Sequence, residues 1–227
     1  MIRIAIDGPG GAGKSSLAKE VAKRLEIVYV DTGALYRTVG VYMLNNNVDV
    51  KNSEAVSSYL KDIKIEMKFI GGKQIILLNG KEVGDEIRTP EASMAASSVS
   101  AIGNVRNFLL KTQRDIADTC SVIMDGRDIG TVILPFAEVK IFLTAKPEAR
   151  ARRRYEELKA KGLNVEYAQV FEEMMQRDKN DSTRDIAPCV PAEDAVILDN
   201  SDLDHMQTAD AVISIINNVK EKISEVL

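Results

Sequence analysis

The run Gly8-Pro9-Gly10-Gly11-Ala12-Gly13-Lys14-Ser15 follows the apolar stretch Ile2 to Ile6 and leads into Ser16 to Leu25, where Leu17, Val21 and Leu25 recur at helical spacing. Glycine lets the backbone turn where other residues cannot and lets a ligand approach the main chain closely. A strand, a glycine-rich turn and a helix in that order make a cradle of inward-pointing N–H groups at the positive end of a helix. Such a cradle, Gly8 through Ser16, suits a chain of phosphates. Lys14 would reach the outer phosphates as a point charge, and the hydroxyl of Ser15 would ligate a magnesium ion travelling with them. The alternative, a plain turn joining strand to helix, requires the glycines and the Lys-Ser pair to fall at these offsets by accident. ATPases, GTPases and small-molecule kinases all use this loop, so the reaction must be read from other segments.

Composition narrows the field. At 227 residues and 45% hydrophobic content the chain suits one α/β domain with an excursion. The net charge of -4 argues against a surface built to hold nucleic acid. No apolar run reaches membrane-spanning length, and a strand starting at Ile2 leaves no room for a leader, so the cytoplasm is the expected location. Cys120 and Cys189 lack metal-ligand spacing and are expected to be free thiols. The single histidine, His205, falls near the start of the last helix, where a surface or capping role is expected.

Short β-branched runs alternate with helix-period segments, the pattern of a parallel sheet covered on both faces. Core strands are expected at Ile2–Ile6, Ile27–Val30, Val122–Met124, Val139–Leu143 and Ala195–Leu198. Helices are expected around Leu35, Val39 and Met43, and over Val105–Asp118, Pro147–Lys161, Glu166–Arg177 and Thr208–Val226. From Asn45 to Ile102 the rhythm changes. Lys64–Phe69, Gln74–Leu78 and Lys81–Val83 read as short antiparallel strands, with Asn79-Gly80 favouring a type I′ hairpin. An insert of that size holds little core alone and is expected to move against the main body.

Two segments follow core strands at the place where open α/β sheets bind ligands: Asp31-Thr32-Gly33-Ala34-Leu35-Tyr36-Arg37 and Asp125-Gly126-Arg127-Asp128-Ile129-Gly130-Thr131. Arg37 and Arg127 there suit a bidentate grip on an anionic acceptor such as a monophosphate, with surface ion pairing as the alternative. Asp125, ending the third strand, suits a water-mediated hold on magnesium.

Together with Ile4–Lys14, Glu86-Ile87-Arg88-Thr89 and Arg177-Asp178-Lys179-Asn180-Asp181-Ser182-Thr183-Arg184, these segments resemble the bacterial cytidylate kinases, a family of nucleoside monophosphate kinases. The resemblance runs through essentially the whole chain. It implies a single-domain P-loop kinase fold with a five-stranded parallel core over residues 1–44 and 103–227. It also implies a β-containing monophosphate-binding insert over about 45–102 and a lid over about 150–165. The implied reaction carries the γ-phosphoryl group of ATP, with Mg2+, to CMP or dCMP in a monomer. Thr32, Arg37, Ser97, Arg106, Arg127, Asp128, Arg177, Asp181 and Arg184 then match acceptor-binding positions, with Ser97, Arg106 and Asp128 around the cytosine and Arg177 and Asp181 near the sugar.

Chemistry agrees with that match. A carboxylate suits the amino group of cytosine, a guanidinium suits its ring acceptors, and uracil reverses part of the pattern. Lys14 and Arg127 are the implied catalytic groups, joined by one or two of the arginines at Arg150, Arg152, Arg153 and Arg154, with Arg154 named as catalytic. Two positions depart from common family spelling. Thr32 stands where Ser is frequent, and Ser15-Ser16 stands where some members have Gly-Thr, which leaves open which hydroxyl meets magnesium. A kinase for another small anion is the rival enzyme. A GTP-dependent switch is the rival from another class, and no Asn-Lys-x-Asp segment for reading guanine is present.

Overall fold

A computed structural model of the protein describes residues 1–226. In chain order the first half runs β1 (Arg3–Asp7), α1 (Lys14–Leu25), β2 (Val28–Asp31), α2 (Thr32–Asn45), α3 (Ser53–Tyr59), β3 (Ile65–Ile70), β4 (Lys73–Leu78), β5 (Lys81–Glu82) and α4 (Pro90–Ser100). The second half runs α5 (Gly103–Ala117), β6 (Val122–Asp125), β7 (Val139–Thr144), α6 (Pro147–Ala160), α7 (Tyr167–Thr183), β8 (Val196–Asp199) and α8 (His205–Val226).

Five strands form one parallel sheet in the order β2-β6-β1-β7-β8. β1 and β6 are buried almost throughout, without alternation, because both of their faces are covered, whereas β7 alternates buried Val139, Ile141 and Leu143 with half-buried Lys140, Phe142 and Thr144. One face packs Ile4, Ile6, Ile141 and Leu143 against Leu17 and Val21 of α1 and Val212 and Ile216 of α8. The other packs Ala5, Val30, Val122 and Met124 against Ile129, Ile133 and Leu134. Each large aliphatic side chain so buried contributes about 1.5–3 kcal/mol. The register sets Asp125 beside both Ile6 and Asp31, so β1, β2 and β6 deliver their carboxyl ends to one place.

The second sheet is the antiparallel β3-β4-β5 ribbon expected from the sequence. Asn79 and Gly80 both take positive φ, 51° and 82°, as a type I′ turn demands. Two helices inside this insert, α3 and α4, are additions to the sequence reading. Asn52 caps the first by accepting from the Ala55 N–H at 3.0 Å, and Thr89 caps the second by accepting from the Ala92 N–H at 3.0 Å, with Pro90 in the first turn.

The insert also has a core, and it is a shared one. Val56, Ile63, Ile76, Ile87, Ala96 and Val99 lie in one buried cluster with Leu35, Val39 and Met43 of α2 and Val105 and Leu109 of α5. A Cβ on Gly40 of α2 would come within 2.8 Å of the Ala95 Cβ of α4, so the two helices approach as closely as their backbones allow. Cys120 and Cys189 are free thiols, and His205 is exposed at the first position of α8.

Candidate active site

The glycine-rich loop sits where the sequence places it. Gly8 takes φ +143°, and a Cβ there would lie 2.0 Å from the Leu143 carbonyl oxygen, so no other residue fits. Gly13, at φ 89°, caps α1 with no side-chain hydrogen bond, and the first turn carries no acidic residue. The opening N–H groups of α1 are therefore left for an anion. Lys14 is buried and donates to the Pro9 carbonyl at 2.7 Å, which folds its ammonium back over the loop. Burial, and after it the Arg127 guanidinium, pull its pKa down to about 7 against the opposing Asp125 and Asp7.

Beside the loop, the Ser15 hydroxyl donates to Asp125 at 2.7 Å, and the Tyr29 hydroxyl donates to the other oxygen of the same carboxylate at 2.8 Å. Burial, then the neighbouring Asp31 carboxylate, hold the Asp125 pKa up. One hydroxyl and one carboxylate, both hard oxygen donors, fit the few protein ligands that magnesium takes when phosphates and water supply the rest. Ser16 is exposed next to Ser15 on α1, whereas it is Ser15 that meets Asp125. Among the described residues no group of three or more His, Cys, Asp or Glu forms a metal cage.

The acceptor candidates converge in two linked clusters. In the first, the Arg106 guanidinium pairs directly with the Asp128 carboxylate, and both are buried. Arg106 also lies 5.5 Å from the centre of the Tyr36 ring. Arg184 stands 3.9 Å from the other Asp128 oxygen and donates to Ser100 at 2.9 Å. In the second, Asp181 accepts from Arg127 at 3.0 Å and from Ser97 at 3.3 Å, with Arg177 at 3.9 Å. Burial alone would raise the Asp181 pKa, but Arg127, Arg177 and Arg184 together lower it. Burial, then Arg127, pull Arg177 down to about 10, and its buried Nε, the atom 3.9 Å from Asp181, makes no hydrogen bond.

Arg37 donates to Asp31 at 2.9 Å, and Asp31 also caps α2 by accepting from the Ala34 N–H at 2.9 Å. Thr32 is placed differently from the other acceptor candidates. Its buried hydroxyl donates to the Asp125 carbonyl at 2.7 Å, which ties α2 to the end of β6.

Of the four arginines at the start of α6, Arg150 is the one set against the loop. It donates to the Gly10 carbonyl at 2.9 Å and pairs with Asp178, which itself accepts from the Gly10 N–H at 3.1 Å. Arg153 holds Asn200, whose amide reaches the Ala12 carbonyl at 3.1 Å. Arg152 is exposed, and Arg154 instead pairs with Glu157 on its own helix at 2.8 Å.

Asp7, Tyr29, Tyr36 and Asp178 thus join the site beyond the residues singled out from the sequence, and Arg150 is the one of the four α6 arginines that meets the loop directly. Asp7, Tyr36 and Asp178 lie inside the motif segments already quoted, so position was the available signal; for Tyr29, just before Asp31, there was none. Asp7 accepts from the Ile129 and Gly130 N–H groups, both at 2.7 Å, and fixes a wide helical turn over Ile129–Ile133 directly after Asp128. Burial, opposed by those two N–H groups, raises its pKa to about 6.

Comparison with known proteins agrees with this arrangement. The family model described as cytidylate kinase matches residues 4–218. A cytidylate kinase of Fervidobacterium nodosum is 50% identical over 94% of this chain and 95% of its own length. One of Caldicellulosiruptor saccharolyticus is 50% identical over 89% of each chain, and one of Bacillus cereus is 44% identical over 97% of this chain and 98% of its own. A solved structure of an uncharacterized protein from Eubacterium ventriosum shares the fold, with TM-score 0.50 at 14% identity over 96% of this chain and 99% of that one. The family model over residues 4–218 and relatives 44–50% identical along nearly the whole chain show that this chain belongs to the cytidylate kinase family and is an ATP-dependent nucleoside monophosphate kinase.

Proposed function

We propose that the chain transfers the γ-phosphoryl group of ATP to CMP or dCMP, giving ADP and CDP or dCDP, with the site residues divided between donor, acceptor and lid. The observation that carries this reading is the buried Arg106 and Asp128 pair set beside Arg127, whose guanidinium nitrogen would stand 3.8 Å from a Cβ on Gly10 of the loop. Base recognition and phosphate transfer therefore share one wall.

The acceptor is a phosphate oxygen already ionised near neutral pH, so no general base is required. Catalysis comes from alignment and from neutralising charge on the transferring group. Lys14 and the loop N–H groups hold the ATP phosphates. Arg37 and Arg127 hold the acceptor phosphate, and Arg177 and Asp181 hold its sugar. Ser15 and Asp125 would hold magnesium, which would supply charge neutralisation to the transfer. The Asp128 carboxylate accepts from the cytosine amino group while Arg106 donates to the ring acceptors, with Ser97 and Arg184 completing the wall. Arg106 and Asp128 pair with each other, so neither is left as an unpaired buried charge.

Arg154 joins the transferring phosphoryl group when α6 closes as a lid. Leaving Glu157 costs at most about 1 kcal/mol, as for exposed ion pairs generally. Donor loop and acceptor residues come from one chain, so a monomer suffices, and among the described residues no helix is long and apolar enough to cross a membrane, in keeping with a cytoplasmic enzyme. An ADP-release assay with ATP and magnesium against CMP, dCMP, UMP, AMP and GMP tests the assignment. Turnover concentrated on CMP and dCMP supports it, and equal or better use of another acceptor would sink it.

A further inference from the structure

The insert faces the core across a cleft of about 1060 Å³, walled by α1, the edge strand β2 and the β4 ribbon, with Ala22, Val28, Tyr29, Phe69 and Ile76 among its lining. One polar side chain on that wall makes a two-point bond to the opposite side. The Gln74 amide oxygen accepts from the Asp31 backbone N–H at 2.7 Å, and its amide nitrogen donates to the Asp31 carbonyl at 3.2 Å. A side-chain amide here occupies the pair of backbone groups that a neighbouring strand would otherwise take at the free edge of β2.

Asp31 is also the residue on which the acceptor side turns. Its carboxylate caps α2 and accepts from Arg37 at 2.9 Å, and its backbone lies in register with Asp125. Gln74 thereby connects the β ribbon of the insert to the residue that aims Arg37.

We propose that Gln74 is a positioning residue for the acceptor: its amide latches the insert to the end of β2 and holds Asp31 and Arg37 ready for the acceptor phosphate. This rests on the reading of Arg37 as a phosphate-gripping residue. The latch acts before binding, on the fraction of molecules whose acceptor side is assembled. Losing it lowers that fraction and weakens apparent acceptor affinity in proportion, while molecules that have bound acceptor proceed at the usual rate. The donor side is built from β1, α1 and β6, with Tyr29 of β2 on Asp125, and Gln74 bonds none of its residues.

The test compares Gln74→Met, which keeps length and removes the amide, with Gln74→Glu, whose carboxylate would face the Asp31 carbonyl. Steady-state constants for CMP and ATP are measured on each, with amide hydrogen exchange at Asp31 and with Arg37→Ala as a reference. The expected result for Gln74→Met is a rise of about five- to tenfold in the KM for CMP, the loss of one or two ordinary hydrogen bonds, with kcat and the KM for ATP unchanged and faster exchange at Asp31. Gln74→Glu should raise the KM for CMP further. An unchanged KM for CMP in both variants, with Arg37→Ala impaired, would overturn the latch; so would equal losses toward CMP and ATP, which indicate general loosening. If Arg37→Ala itself leaves the KM for CMP unchanged, the acceptor role of Arg37 is wrong, and unaltered exchange at Asp31 in Gln74→Met would then reject the latch on its own.

Discussion

Lys14 is the residue whose protonation matters most near neutrality. Buried beside Arg127, it titrates at about 7 in the free protein, and ATP phosphates would restore its proton. Above that pH the free enzyme has lost a proton that the complex regains, so ATP binding takes one up and apparent affinity falls as pH rises. Titration calorimetry at pH 8 in buffers of different ionisation enthalpy should register this uptake, and its absence would mean that Lys14 stays charged in the empty site. On the proposed reading, Asp128 recognises the base. Asp128→Asn keeps the shape and removes the charge, and should lower kcat/KM for CMP by about 10- to 100-fold, the worth of a hydrogen bond to a charged group, while UMP turnover changes less. Equal losses on both would remove base reading from Asp128. Residues such as Lys14, Ser15 and Asp125 were legible because a loop and a strand end announce them. Gln74 and Tyr29 were not, because their partners lie 43 and 96 residues away and only the fold brings them together.

Among elements, the end of β1 does more than lead into the loop. The Asp7 carboxylate is the joint between donor and acceptor segments, since it alone takes both N–H groups of the turn after Asp128. Asp7→Asn offers one oxygen where two are used and turns an amide N–H toward a donor, at a cost of about 1–3 kcal/mol. Because its pKa is raised in the folded state, from 3.8 to about 6, the folded protein holds this proton where the unfolded chain has lost it. Stability from this group therefore falls as pH rises through that window, and denaturant unfolding at pH 4.5 and 7 should show a smaller decline in the Asn variant. The core strands and the hairpin could be read from β-branched runs and Asn79-Gly80. Helix α4 could not, because a helix packed at a glycine and alanine contact carries no large apolar stripe to betray its period. The turn over Ile129–Ile133 overlaps the glycine-bearing segment read after the third strand, and its wider form is held by Asp7, 122 residues away in sequence.

At the scale of the molecule, a chain of net charge -4 concentrates Arg37, Arg106, Arg127, Arg177 and Arg184 around three carboxylates, Asp31, Asp128 and Asp181. A local positive excess in a protein otherwise negative favours a small anion over a polyanion. CMP at a hundred times its dissociation constant should raise stability by about 2.7 kcal/mol, seen as a higher melting temperature, whereas UMP at the same concentration should shift it less. Matching shifts for the two would mean that the pocket grips phosphate alone. The whole-chain architecture followed from the alternation of strands and helices. What alternation could not reveal is that α2 belongs to two neighbourhoods, since packing partners are chosen by shape across the chain and not by periodicity within it. Grafting a relative's insert onto this core would therefore not carry over that relative's acceptor preference unaided: the helix bearing Arg37 would meet an unfamiliar partner, and a change of taste in this lineage has to arrive together with a repacked interior.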